Sequence, residues 1–132
     1  MAEIGYFLSS EEHGPAELVR QAQQAEAAGF RSVWISDHYH PWNDNQGQSP
    51  FVWTVIGGIA ATTSLTVTTG VTCPTVRIHP AILAQAAATA SLARDGMSAL
   101  SPTASTVSPM SARVWARSCR IASGSWPIPR PP

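Results

Sequence analysis

Apolar residues fall along this chain in two alternating rhythms. From Glu3 to Leu8 polar and apolar positions alternate weakly, and the stretch is rich in Ile, Tyr and Phe, which suits a first strand. Ser9-Ser10-Glu11-Glu12-His13-Gly14 reads as a loop, and Pro15 opens a helix at a position where a missing N–H is harmless. Leu18, Ala22, Ala25 and Ala28 then recur at helical spacing along one face, and Gly29 is a natural C-cap. Arg31 to Ser36 is a short strand of the buried type. Ser49-Pro50 starts a second helix of small and apolar residues, Phe51 to Ala61. Ser64 to Val71, β-branched at nearly every second place, is a third strand, and His79-Pro80 opens a third helix reaching about Ala93.

Short apolar strands alternating with helices imply parallel strands joined by crossovers, an α/β fold. Doubly wound sheets and eight-fold barrels both begin this way. The doubly wound dinucleotide-binding form calls for a glycine-rich turn straight after the first strand, and Leu8-Ser9-Ser10-Glu11-Glu12 contains no glycine. The pattern therefore predicts the N-terminal part of a (β/α)8 TIM barrel, about three βα units, with its site at the C-terminal strand ends and in the loops after them. An incomplete barrel is expected to leave the far edge of the third strand unpaired. It is also expected to expose the apolar inner faces of its helices, Phe51, Val55 and Ile59 among them.

Beyond Gly96 the periodicity stops. Residues 98–132 hold eight serines, six prolines and four arginines against one leucine and one glycine. The expected organisation is a partial barrel domain over 1–97 and an irregular Ser/Pro/Arg-rich tail over 98–132. The neutral total charge divides at the same place, −4 over residues 1–97 and +4 beyond. Such a tail reads as a basic arm, disordered for want of apolar surface, or as the product of an out-of-frame reading. The second fits better. All eight basic residues are arginine, as a GC-rich gene favours, and such a gene read out of frame yields Ser, Pro, Arg and Ala with few acids. The opening Met-Ala-Glu-Ile-Gly-Tyr lacks the basic and apolar regions of a signal peptide. No run approaches the ~20 apolar residues of a membrane span. Cys73 and Cys119 lie on either side of the compositional break and read as free thiols in a reducing cytoplasm.

The chemistry concentrates after the second strand. Ser36-Asp37-His38-Tyr39-His40-Pro41-Trp42 crowds two histidines, a carboxylate and two aromatics into seven residues. By residue type alone His38 and His40 read as hydrogen-bonded loop residues. His13, in the loop after the first strand, reads as solvated, and His79, before Pro80, as a structural residue at a helix start. No spacing among the four histidines and Asp37 resembles a zinc ligand set, so no metal is expected. Trp34 and Trp53 read as barrel-packing aromatics.

Together with Glu3-Ile4-Gly5-Tyr6, Ala25-Glu26-Ala27-Ala28-Gly29-Phe30 and Thr72-Cys73-Pro74-Thr75-Val76-Arg77-Ile78-His79-Pro80, that run resembles the luciferase-like (β/α)8 oxidoreductases. Within them it is most similar to the deazaflavin-dependent branch containing the coenzyme F420-dependent glucose-6-phosphate dehydrogenases. The resemblance runs from about residue 3 to 96. Its specific part is Asp-His-x-x-Pro-Trp; the Ala-Glu-x-x-Gly helix end is shared by the wider superfamily. The resemblance implies that coenzyme F420 lies across the C-terminal strand ends. Asp37 and His38 then close strand two, Trp42 sits in its loop, and Gly70-Val71 ends strand three, where the family carries a cis peptide against the deazaflavin ring. Asp37, Gly70, Val71 and Cys73 are the implied cofactor-binding positions, Cys73 as a small residue presenting its backbone. The family continues after its third helix with a glycine-rich strand, Gly-x-Gly-x-Gly-Glu, whose Glu takes the acid role. Here Ser98-Ala99-Leu100-Ser101-Pro102 stands instead, and the phosphate-binding residues of the dehydrogenases have no counterpart.

Oxidising a secondary alcohol or hemiacetal requires a base for the hydroxyl proton as hydride leaves, and a histidine, ordinarily of pKa ~6.5, suits that task. The resemblance makes His38 the candidate base, or an electrostatic stabiliser of the reduced cofactor, with Trp42 walling the developing charge. It implies hydride transfer between an alcohol or hemiacetal, such as a sugar phosphate, and coenzyme F420. The full-length family implies a cytoplasmic homodimer, and this chain is expected to be an inactive piece. One alternative is an FMN-dependent monooxygenase of the same superfamily, which Asp-His-x-x-Pro-Trp argues against. Another is a non-catalytic protein with a basic arm for nucleic acid. Its support is the tail alone, which has no lysine and only Trp115 and Trp126 for base stacking. Neither nucleic acid nor membrane is therefore expected as a partner.

Overall fold

The computed structural model describes residues 4–72, 77–92 and 101–102. Its elements are β1 (Tyr6–Leu8), α1 (Pro15–Ala27), β2 (Ser32–Ile35), α2 (Val52–Thr62), β3 (Thr66–Thr69), α3 (Pro80–Leu92) and β4 (Ser101–Pro102). The first six reproduce the alternation read from the sequence. All strands pair in parallel in the order β1-β2-β3-β4. A doubly wound sheet reverses its strand order part-way. A sheet that adds every strand on the same side as the last is the way a barrel grows.

The elements end where local chemistry ends them. Pro15 occupies the first turn of α1. At its other end Gly29 takes φ +93°, a left-handed conformation that a side chain would disfavour. The Gly29 N–H then bonds Glu26 O at 2.9 Å and the Phe30 N–H bonds Ala25 O at 3.1 Å, the paired closure of a Schellman motif. Phe30 goes on to meet Tyr6 of β1 edge to face, ring centroids 5.7 Å apart. Leu18, Ala22 and Ala25 are buried as their spacing predicts, whereas Ala28 is the C-cap residue and is exposed.

One face of the sheet carries the core. Leu8, Val33, Ile35 and Val67 are buried against Leu18 and Ala22 of α1, Val52, Val55, Ile56 and Ile59 of α2, and Leu83 and Ala87 of α3. Trp53 joins this core. The expectation that Val55 and Ile59 are exposed is therefore wrong. The helices cover the outer face of the sheet whether or not a barrel closes, and only Phe51, the residue before α2, stands open. What stays bare is the opposite face, where Phe7 is paired in register with Trp34 and the two are 54% and 44% exposed.

Two further expectations need adjustment. The region after Gly96 shows no strand pattern, yet Ser101 and Pro102 pair with Thr68 and Thr69, so the far edge of β3 is not free along its whole length. Backbone pairing requires no apolar alternation, and a proline is tolerated on the last strand of a sheet, where its missing N–H withdraws no inner ladder bond. The remainder of the tail, the domain boundary drawn at 97 and Cys119 lie outside the described residues.

If the core lies on this face, Ile59→Ala should lower the unfolding free energy by about 2–5 kcal/mol. Phe7→Ser, on the bare face, should change it by about 1 kcal/mol or less. Urea unfolding of the two variants checks the order, and the reverse order would put the core on the wrong side.

Candidate active site

The C-terminal ends of β1, β2 and β3 finish at one rim. The ladder runs on past the strands there, Ser36 N–H to Leu8 O at 3.2 Å and Gly70 N–H to Ile35 O at 2.8 Å. Just beyond, Ser10, Glu11, Ser36, Asp37 and Thr72 are all buried. Burying polar and charged side chains is unfavourable unless each finds a partner, so the bonds among them define the site.

Two carboxylates organise the rim. Glu11 accepts the Ser36 hydroxyl on Oε2 at 2.6 Å and meets His38 Nδ1 through Oε1 in a short contact. Burial alone would raise the Glu11 carboxyl, but the Ser36 hydroxyl and the His38 ring, followed by its own backbone N–H, outweigh it and hold the group below the ordinary glutamate range. An ionised carboxylate only accepts hydrogen bonds, so the proton between the two groups belongs to His38 Nδ1. In the neutral imidazole Nε2 then carries the free lone pair. Ser10 completes the cluster, its N–H donating to Ser36 Oγ at 2.9 Å and its hydroxyl to Ser36 O at 2.6 Å.

Asp37, the neighbour of His38, faces another set of partners. Thr72 Oγ1 donates to its Oδ2 at 2.6 Å, and the Arg77 guanidinium pairs with its Oδ1. Both carboxylate oxygens are thus engaged and the side chain is wholly buried. The pair ties the end of β2 to both sides of the β3–α3 connection. That connection starts at Gly70-Val71, whose peptide is cis. A Cβ on Gly70 would stand 3.1 Å from Trp34 Cε3, so the close approach of the indole accounts for glycine there.

His38 is about one-third exposed. Trp42 stands edge-on to it, ring centroids 5.3 Å apart at 80°. The loop before α2 holds the pair from behind: the Gln48 N–H donates to Glu11 O at 3.0 Å and the Ser49 hydroxyl to His38 O at 2.7 Å. Ser49, which the sequence offers as a helix start, is spent on this contact, and α2 begins without a side-chain cap. A cavity of about 290 Å³ opens beside His38, walled by Tyr39, Pro50, Phe51, Arg77 and Ile78.

The rim thus collects His38, Asp37, Gly70 and Val71, and sets Trp42 against His38. Cys73 lies outside the described residues. His40 bonds the neighbouring Pro41 O at 2.8 Å, His13 lies half-buried in its loop, and His79 Nδ1 accepts the Ala81 N–H at 3.2 Å at the start of α3. Sequence reasoning did not single out Glu11, Ser36, Thr72 or Arg77. Only the parallel register reveals them, because Glu11 and His38 are 27 positions apart and Asp37 and Arg77 are 40 apart. Among the described residues no group of acidic, histidine and cysteine side chains could hold a metal, and no helix is long and apolar enough to cross a membrane.

A singly wound parallel sheet that gathers a histidine and buried carboxylates at its C-terminal rim is the arrangement of the α/β-barrel class. Residues 1–96 match the luciferase-like monooxygenase family, and the chain belongs to it. It is 47% identical over 94 residues to the F420-dependent hydroxymycolic acid dehydrogenase of Mycobacterium tuberculosis, covering 70% of this chain and 26% of that protein. It is 41% identical over 97 residues to an F420-dependent glucose-6-phosphate dehydrogenase of Amycolatopsis mediterranei, covering 73% and 29%. The chain thus spans between a quarter and a third of the curated relatives it matches. Among solved structures it is similar to an F420-dependent secondary alcohol dehydrogenase in complex with an F420-acetone adduct. The TM-score is 0.67 at 31% identity, over 98% of this chain and 43% of that one. The fold is accordingly the first part of a (β/α)8 barrel.

The Glu11 carboxyl, held below its unfolded value, gives a pH test. Such a group adds stability that is complete above its unfolded pKa, ~4.3. That stability drains away as the pH falls from there through the lower folded value, because the unfolded chain takes up the proton first. Glu11→Gln should flatten this stretch of the curve. Urea midpoints at a series of pH values below 6 measure it, and parallel curves for the two proteins would count against a compensated Glu11.

Proposed function

We propose that this chain supplies the first strands and the base of an F420-dependent oxidoreductase, one that moves a hydride between an alcohol or hemiacetal carbon and coenzyme F420. The observation that carries the reading is the Glu11–His38 contact. It fixes the imidazole proton on Nδ1 and reserves Nε2 for a substrate hydroxyl. Support comes from relatives and a solved neighbour that are F420-dependent dehydrogenases acting on different alcohols. A cytoplasmic setting and a homodimer belong to the same proposal.

The residues at the rim fit the coenzyme. A flat ring needs an open strand end to lie against, and the exposed Val71, next to a Gly70 packed on the Trp34 indole, offers one. When bound, coenzyme F420 supplies the hydride acceptor. His38 takes the hydroxyl proton at Nε2, and Glu11 stabilises the imidazolium that results. Trp42, edge-on to His38, stands beside the developing charge. Gly70 and Val71 offer the surface for the ring. Asp37 belongs to the same set, and its bonds to Thr72 and Arg77 hold that surface in place.

A chimera tests this, with residues 1–96 replacing the matching segment of the Mycobacterium tuberculosis relative. His38→Ala in the chimera should lower kcat by about 10²–10⁴-fold while leaving coenzyme affinity nearly unchanged. An unchanged kcat would remove His38 from the mechanism. Asp37→Ala should do the reverse, weakening coenzyme binding more than turnover. The 132-residue chain alone should give a flat deazaflavin fluorescence titration and no turnover. Micromolar binding would show that these residues suffice for the coenzyme.

A further inference from the structure

The Ser36 hydroxyl has one proton and several acceptors in reach, and its bond lengths show where the proton goes. Its 2.6 Å contact is with Glu11 Oε2, while Ser10 Oγ lies 3.0 Å and Leu8 O 3.5 Å away. The lone pairs of the same oxygen receive the Ser10 N–H at 2.9 Å. The Ser10 hydroxyl is spent on Ser36 O, also at 2.6 Å. Ser36 is therefore locked as a donor to Glu11 from inside the sheet, in a pocket closed to water. Ser9 Oγ approaches Glu11 Oε2 only at 3.3 Å and Ser10 Oγ approaches Oε1 at 3.2 Å, so neither substitutes for it.

We propose that Ser36 is a positioning residue for His38, acting through Glu11: its hydroxyl anchors Oε2, so that Oε1 faces the imidazole and keeps the ring proton on Nδ1. This rests on the reading of His38 as the base, since only the Nδ1–H form offers a lone pair at Nε2. Ser36 touches no reacting atom. Its effect is on the fraction of enzyme whose histidine is in the working tautomer. A rotated or protonated Glu11 would leave the ring free to populate either form.

The tautomer of His38 can be read without coenzyme or substrate, so the outcome does not depend on the proposed activity. Long-range ¹H–¹⁵N correlation spectra of the 132-residue chain, taken at a pH where imidazoles are neutral, report it directly. His38→Ala identifies the signals. In the wild-type chain the Nδ1–H form should dominate. Ser36→Ala should lower the ratio of Nδ1–H to Nε2–H forms about fivefold, the scale of one lost hydrogen bond. Ser10→Ala removes the bond to Ser36 O and the longer approaches to Ser36 Oγ and Glu11 Oε1, but spares the Ser36 hydroxyl's bond to Glu11 Oε2, and should lower the ratio much less than Ser36→Ala. The proposal is overturned if Ser36→Ala leaves the ratio at its wild-type value, if Ser10→Ala lowers it as far, or if the wild-type ring is not mainly Nδ1–H. Should Ser36→Ala fail to give a dispersed spectrum, Ser36→Cys keeps the shape with a weaker donor. It should lower the ratio by a smaller factor, and a wild-type ratio there overturns the proposal equally. A ratio that falls as expected while the His38→Ala chimera keeps its kcat would instead overturn the activity and leave the positioning role standing.

Discussion

A carboxylate withdrawn from water, Glu11, is the constraint around which the rim is arranged. Burial alone pushes its carboxyl toward the neutral acid, a form that could face His38 as a donor and reverse the tautomer. Hydrogen bonds from Ser36 and His38 pull the other way and outweigh burial. Those partners come from the end of a different strand, so the charge state of one residue depends on how two strands are paired. The apolar core beneath, Leu8 and Ile35 in register, serves the chemistry by fixing that pairing.

The fold was largely legible in the sequence because its signals are local. Helix α1 ends at Gly29, where the chain must turn left-handed, and strands show themselves by β-branched runs over a few residues. His38, Asp37 and Gly70-Val71 were legible by resemblance to a known run. Glu11 was not: Glu11 and Glu12 are adjacent and chemically alike, and only three-dimensional pairing buries the first and exposes the second. The Arg77 pairing with Asp37, 40 positions away, is hidden from the sequence for the same reason. The burial of Val55 and Ile59 is not legible from the sequence, because an unclosed barrel keeps its helices on the sheet and bares the face that carries Phe7 and Trp34.

The two acidic residues of the rim divide the labour. Glu11 governs one ring nitrogen, whereas Asp37, fully engaged by Thr72 and Arg77, governs the path of the chain after β3. Adjacent positions 37 and 38 thus feed separate networks, as expected at the end of a strand, where successive side chains leave on opposite sides. Dense hydrogen bonding fixes the geometry of these side chains without a ligand, the kind of advance placement that preorganised sites rely on.

The strand order has a consequence for synthesis. Each strand pairs first with the one made just before it: Leu8 waits for Ile35, and Ile35 for Thr69. Every pairing therefore closes over one helix and its loops, a short span of chain, so that loop entropy is met in small steps. A polypeptide emerging from the ribosome N-terminus first can add one strand–helix unit at a time to a growing sheet. Both partners of the Glu11–His38 contact are present once the second strand has docked, so this corner needs none of the later strands to take shape.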